Sequence, residues 1–353
     1  MLTACTATPV EKMMDRLNEA ASAGVPLYGH QDDLMYGHSW NVNVDGAQDF
    51  ERSDIKSVCG QYPAVLGLEL GGIELGDECS LDGVNFKYLA QAAVKHYERG
   101  GIVTLSWHPR NLVTGDSAWD VSNNTVVRSL LPGGENHDTF IQWLSRVCDE
   151  IELMRGKDGK VIPIIWRPWH EHTGSWFWWG WDLCTAEEYV SLWKMTYEYM
   201  MGVRKLDSLV WATSPDGNSR FDQWAERYPG NEYVDLLGFD MYFFGWDEHR
   251  EAASKYYIDH MRECLASLSA FAAEHGKPIA VTETGCEGLK ADNYWTGCLA
   301  KALEGFPVSY VLTWRNACDD EKKDYHFYGP FPGSRNADDF CDWVASGKVG
   351  MMK

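Results

Sequence analysis

Eight short apolar runs, separated by helix-patterned or loop-rich stretches, recur along almost the whole chain, and this alternation excludes most folds. The runs are Pro26–His30, Ala64–Leu70, Ile102–His108, Ile162–His170, Ser208–Thr213, Val234–Tyr242, Pro278–Glu283 and Ser309–Trp314. Helical patterns lie between them, as at Phe86–Arg99, Phe140–Met154, Ala186–Met201 and Tyr256–Glu274. Near-continuous apolar strands alternating with helices are the signature of a parallel sheet buried on both faces. Eight such units predict an α/β fold, a (β/α)8 TIM barrel. The 353 residues, 45% of them hydrophobic, supply core enough for one barrel. A single catalytic domain over 1–353 is expected, with a short N-terminal extension over about residues 1–24. No repeat, low-complexity tract or linker interrupts it.

Barrels of this kind place their chemistry at the C-terminal ends of the strands. Here those ends carry polar and aromatic groups: Tyr28-Gly29-His30-Gln31 on the first, Trp107-His108 on the third and His170-Glu171 on the fourth. The sixth ends Asp240-Met241-Tyr242, the seventh in Glu283 and the eighth in Trp314-Arg315. Two long insertions, Gly71–Asn85 and Asn111–Asn136, are rich in Gly, Asp, Asn and Ser and are expected to wall a cleft, with Trp119 of the second lining it.

The segment Arg167-Pro168-Trp169-His170-Glu171-His172-Thr173-Gly174-Ser175-Trp176-Phe177-Trp178-Trp179-Gly180 joins a carboxylate to a run of aromatics. Aromatic faces suit the C–H-rich faces of sugars, and a carboxyl near apolar walls can be held protonated for general-acid work. A Trp-rich core with one surface glutamate would leave several indole N–H groups in need of partners. The second carboxylate is Glu283, in Ala280-Val281-Thr282-Glu283-Thr284-Gly285. Strands four and seven stand on opposite sides of the mouth, so the two side chains can converge across it. Such a pair suits glycoside hydrolysis with retention, Glu283 as nucleophile and Glu171 as acid/base, at a carboxyl separation of about 5–5.5 Å rather than the roughly 6.5–9.5 Å of inversion.

The motif resembles the acid/base segment of glycoside hydrolase family 26, the β-mannanase family, with its Arg-Pro-x-His-Glu followed by Gly-x-Trp-Phe-Trp-Trp-Gly. The resemblance extends from about Tyr28 to Trp343. It implies Glu171 as acid/base and Glu283 as nucleophile, with His170 near the nucleophile and the sugar. Gly238-Phe239-Asp240-Met241-Tyr242 matches the family's Gly-Phe-Asp-x-Tyr, in which Tyr242 hydrogen-bonds the nucleophile, and Asp235 just upstream matches an active-site aspartate. His108 of Trp107-His108-Pro109 is implied to line the site, Trp176 to flank the leaving-group side, and Trp314 with Arg315 to serve the non-reducing side. The stretch Cys286–Trp295 shows no aromatic equivalent of the family's donor-subsite elements.

A net charge of −21 argues against nucleic acid and anionic membrane surfaces as partners, and leaves neutral polysaccharide open. The ten cysteines lack Cys-x-x-Cys spacing, so a zinc site is not expected, and free thiols are as compatible with them as disulfides. His30, Asp32 and Asp33 cluster without a standard ligand spacing, and neither metal nor cofactor is expected. No apolar run is long enough to span a bilayer. Leu2-Thr3-Ala4-Cys5 resembles the lipidation box of bacterial lipoproteins, which would make Cys5 the lipid-bearing residue and place the protein outside the cytoplasm. The expected function is endo-β-1,4-mannanase action on mannan, glucomannan or galactomannan. The alternatives are release of mannobiose from chain ends, the same machinery turned on β-glucan or β-xylan, and a non-catalytic carbohydrate binder.

Overall fold

The computed structural model describes residues 7–45, 48–244, 250–319 and 321–352; Cys5 lies outside them. Among these, eight parallel strands close into a barrel: β1 Leu27–Gln31, β2 Val65–Glu69, β3 Ile102–Ser106, β4 Ile164–Arg167, β5 Leu209–Thr213, β6 Leu236–Phe243, β7 Ile279–Cys286 and β8 Val308–Thr313. Each pairs with its neighbours in sequence, and β1 pairs with both β2 and β8. The expected (β/α)8 barrel is the observed fold.

Every strand is buried on both faces, and its residues sort by parity into two cores. Val65, Ile102, Ile165, Val210, Ala212, Leu236, Ala280, Tyr310 and Leu312 fill the barrel's lower interior. The alternate positions, such as Leu66, Val103, Trp166, Trp211 and Phe239, pack with the surrounding helices, among them Phe86–Glu98, His137–Leu153 and Arg250–His275.

Residues 8–24 form a structural part of the barrel. Helix α1 (Pro9–Ala23) opens with Thr8 and Glu11 capping one another's backbone and closes on Gly24 in the left-handed conformation. Its Met13, Leu17 and Ala20 pack into the lower interior core and plug the barrel floor.

Two departures from the expected strands matter for function. The fourth strand stops at Arg167 rather than His170, because Trp169 and Glu171 adopt positive φ (53° and 52°) and turn the chain across the rim. In β7 the register slips by one residue on both sides. Phe239 pairs with Val281 but Asp240 with Glu283, and Val311 pairs with Val281 but Thr313 with Thr284. Strict alternation from Ala280 would turn Thr284 inward and Glu283 out to the helices. The bulge at Thr282 reverses that parity and aims Glu283 into the mouth.

Gly238 makes room for the bulge: a Cβ there would lie 2.5 Å from Thr282 Cγ2 and 2.7 Å from its Oγ1. Gly238→Ala is therefore expected to push on the segment that carries Glu283. Since a misplacement of ~1 Å costs on the order of 100-fold in rate, kcat should fall by about that factor while the circular-dichroism spectrum stays native. Unchanged steady-state kinetics would show that the bulge does not set the position of Glu283.

Candidate active site

Glu283 is 3% exposed at the C-terminal end of β7, and its two oxygens are held separately. Arg167 Nη2 donates to Oε1 and the Tyr242 hydroxyl donates to Oε2 at 2.6 Å. The other arm of Arg167 donates to Asp240 Oδ2 at 2.9 Å and to Ser214 Oγ at 3.0 Å. Asp240 Oδ1 accepts from Thr282 Oγ1 at 2.6 Å, which ties the bulge to the neighbouring strand. One guanidinium thus serves two buried carboxylates and fixes their planes, an arrangement that favours Arg over Lys.

Glu171 sits across the mouth, partly open to the cleft. Its strained turn is held from several sides. Glu171 N donates to Ser214 O at 2.6 Å, Tyr189 Oη to Trp169 O at 3.0 Å, and Trp179 Nε1 to His170 O at 2.8 Å. Its Oε2 accepts from Trp176 Nε1 at 2.6 Å. Loss of solvent around the carboxyl, then the charges of Glu283 and Asp240, push Glu171 well above the usual carboxylate range, while the Trp176 bond pulls the other way. It is thereby suited to carry a proton at neutral pH.

One oxygen each from Glu171, Asp240 and Glu283 lies within 4.8 Å of the other two. Such a triad has the composition of a cation site, but Arg167 already supplies positive charge to two of its members. An approach this close is of the kind retention uses, about 5–5.5 Å between carboxyl groups, rather than the roughly 6.5–9.5 Å of inversion.

Around the pair, His108 and His170 meet edge-on with their Nε2 atoms 2.9 Å apart. Trp119, half exposed, stacks on His108 at a 5.1 Å centroid distance and 11°. Trp314 is partly exposed beside His108. Arg315 is fixed by Asp82 at 2.8 Å and lies against Tyr36. The expected residues His108, Trp119, His170, Trp176, Asp240, Tyr242, Trp314 and Arg315 therefore gather with the two glutamates at one rim.

Asp235 does not. It precedes β6 at the opposite end of the barrel, where its Oδ2 accepts from Trp211 N at 2.9 Å. Asp240 is the aspartate that this strand delivers to the mouth. The His30, Asp32 and Asp33 group is also resolved: His30 pairs with Asp33 at 2.8 Å, and Asp32 accepts from the Tyr36 hydroxyl at 2.9 Å.

Four residues given no role in the sequence expectations prove structural to the site: Glu69, Asp82, Arg167 and Arg227. Arg227, 1% exposed, donates to the carbonyls of His172, Trp179, Gly180, Trp181 and Cys184, and so gathers the aromatic loop. Within that loop Trp178 Nε1 reaches Pro109 O at 3.0 Å. A charge within an apolar strand, at a parity that faces the interior, would have flagged Glu69 and Arg167.

A parallel barrel whose C-terminal mouth sets two carboxylates this close, between indole walls, is the architecture of a glycoside hydrolase. The family model for glycosyl hydrolase family 26 matches residues 7–269. The chain belongs to that family. It is 32% identical to a mannan endo-1,4-β-mannosidase of Bifidobacterium adolescentis over 90% of its length, and spans about a third (33%) of that protein. A mannan endo-1,4-β-mannosidase of Bacillus subtilis is 31% identical, over 75% of this chain and 70% of its own. Among solved structures, a family-26 β-mannanase from Bacteroides ovatus superposes with a TM-score of 0.89 at 42% identity, covering 98% of this chain and 96% of that one.

The Trp176 bond stabilises the Glu171 anion, so Trp176→Phe should raise the pH at which Glu171 loses its proton. A general acid works only while protonated, so the alkaline limb of kcat/KM is expected to move to higher pH. A pH–rate series on both proteins checks this; an unmoved limb, or one moved to lower pH, would count against Glu171 as the acid.

Proposed function

We propose that this chain is a retaining endo-β-1,4-mannanase. The observation that carries the reading is the approach of Glu171 and Glu283 to within 4.8 Å at the mouth of a family-26 barrel. Mannan endo-1,4-β-mannosidase is also the name borne by the Bifidobacterium and Bacillus relatives.

In the first step the Glu283 carboxylate attacks the anomeric carbon while Glu171 passes its proton to the departing glycosidic oxygen. Tyr242 and Arg167 grip the two Glu283 oxygens, so the nucleophile approaches in one orientation. In the second step Glu171, now anionic, takes a proton from water as that water attacks the glycosyl ester and frees Glu283. His108, His170, Trp119 and Trp314 line the sugar site, Trp176 flanks the leaving group beside Glu171, and Arg315 reads hydroxyls on the non-reducing side.

The substrate is neutral β-mannan: linear mannan, glucomannan or galactomannan. The polymer is met outside the cytoplasm, in keeping with the Leu2-Thr3-Ala4-Cys5 box, and among the described residues no helix is long and apolar enough to cross a membrane.

Reducing-sugar release from linear β-1,4-mannan, run beside barley β-glucan and xylan, tests the substrate. Release from mannan alone, with mixed oligosaccharides early in the reaction, is expected. Mannobiose alone from the outset would replace the endo mode with an exo one, and activity confined to glucan or xylan would overturn the substrate. Glu283→Ala should abolish turnover yet keep oligosaccharide binding. Glu171→Ala should lose about 10²–10⁴-fold on polysaccharide and far less on activated aryl glycosides, whose leaving groups need little protonation. Equal losses on both substrates would point to a different acid.

A further inference from the structure

Behind the two glutamates lies a buried chain of polar groups that the two-step reaction does not by itself require. Glu69, 2% exposed at the end of β2, accepts four hydrogen bonds. Gly71 N (2.7 Å) and His108 N (2.8 Å) reach Oε1; Ser106 Oγ (2.6 Å) and His108 Nδ1 (2.8 Å) reach Oε2. His108 Nε2 then meets His170 Nε2 at 2.9 Å, and His170 directly precedes Glu171.

A contact between two imidazole nitrogens needs one donor and one acceptor. Which nitrogen gives the proton follows from charge. A desolvated carboxylate is costly without a counter-charge. The nearby guanidinium groups are committed elsewhere, Arg167 to Glu283 and Asp240 and Arg315 to Asp82. His108 is the group left to balance Glu69. It would then carry protons on both nitrogens, Nδ1–H to Glu69 and Nε2–H to the lone pair of His170 Nε2, with His170 neutral and protonated at Nδ1.

We propose that Glu69 is a positioning residue that holds His108 as an imidazolium and, through it, fixes the ring and proton placement of His170 beside the reacting carboxylates. This rests on the hydrolase reading above for its catalytic consequence, though not for the charge state. The groups facing His108 are Glu69 from β2, His170 and Arg167 from the fourth strand and its rim, Glu283 from β7 and Asp82 from the loop after β2. The rings of Trp119, Phe177 and Trp314 close the remaining sides. The carboxylates favour the cation, and Arg167 opposes it. Burial alone would lower His108, yet Glu69 more than offsets it and the net direction is upward, while burial, Arg167 and His108 drive His170 well below the normal imidazole range.

The test is ¹⁵N NMR of the full chain carrying ¹⁵N-histidine, with the His108 signals assigned by their loss in His108→Gln. At the pH where free imidazole is half deprotonated, roughly 6.5, His108 should still show two protonated nitrogens and His170 a single proton on Nδ1. A neutral His108 in the unmodified protein overturns the proposal whether or not Glu69→Gln folds. Glu69→Gln should abolish the imidazolium signature and lower kcat on manno-oligosaccharides by about 10–100-fold, by analogy with the loss of the carboxylate that orients a metal-bound histidine, with a smaller change in KM. A kcat within twofold of the unmodified enzyme also overturns the positioning role. If the unmodified chain releases no sugar from any β-mannan, the functional reading fails, and the charge assignment still stands or falls on the NMR spectrum.

Discussion

The site is a problem in housing negative charge. Glu69, Asp240 and Glu283 are almost wholly buried, and Glu171 stands only partly open to the cleft. Four carboxylates at one end of a barrel would repel one another and resist desolvation. Arg167 makes the arrangement possible by bridging Glu283 and Asp240, with Thr282, Tyr242 and Ser214 completing the shell. Glu171 lacks such a cation, and the consequence is useful: the anions that Arg167 stabilises raise its proton affinity. One guanidinium therefore divides the carboxylates into a stabilised set and a proton-holding member, which is the division that double displacement uses.

Position within the fold turns that chemistry into geometry. The fourth and seventh strands bring their glutamates to opposite sides of the mouth, but neither reaches its place by regular strand alternation. Glu171 depends on a left-handed turn anchored by Ser214, and Glu283 on a one-residue bulge accommodated by Gly238. Both local irregularities carry the two glutamates, where the surrounding hydrogen bonds leave the backbone few alternatives.

Much of this was legible from residues alone. The eight strands announce themselves because burial on both faces demands continuous apolar runs, and the glutamates because each ends such a run beside aromatics. Asp235 misled because it opens the same run that Asp240 nearly closes. Five residues at ~3.3 Å each place the two about 16 Å apart, at opposite ends of one strand, and linear proximity hides that distance. The bulge was invisible for a related reason: Val281-Thr282-Glu283-Thr284 reads equally well in either register, and only pairing with both neighbours fixes which side chain faces inward. Glu69 passed unremarked, and Arg167 was quoted at the head of the motif without a role, because a charge at a strand end is ordinary on a rim. Their meaning lies in partners on other strands.

Arg227 leaves a different kind of mark. It holds the aromatic loop through five backbone carbonyls, and its guanidinium also lies over the Trp181 ring, 4.8 Å from the centroid. Carbonyl oxygens are the same whatever residue bears them, so that part of the grip is indifferent to the loop's own sequence. Loop side chains other than the indoles of Trp176, Trp178 and Trp179, which make bonds of their own, can change, and with them the fit to branches or neighbouring sugars, while the carbonyl grip stays where it is. The burden of constancy falls on a single arginine some fifty residues downstream.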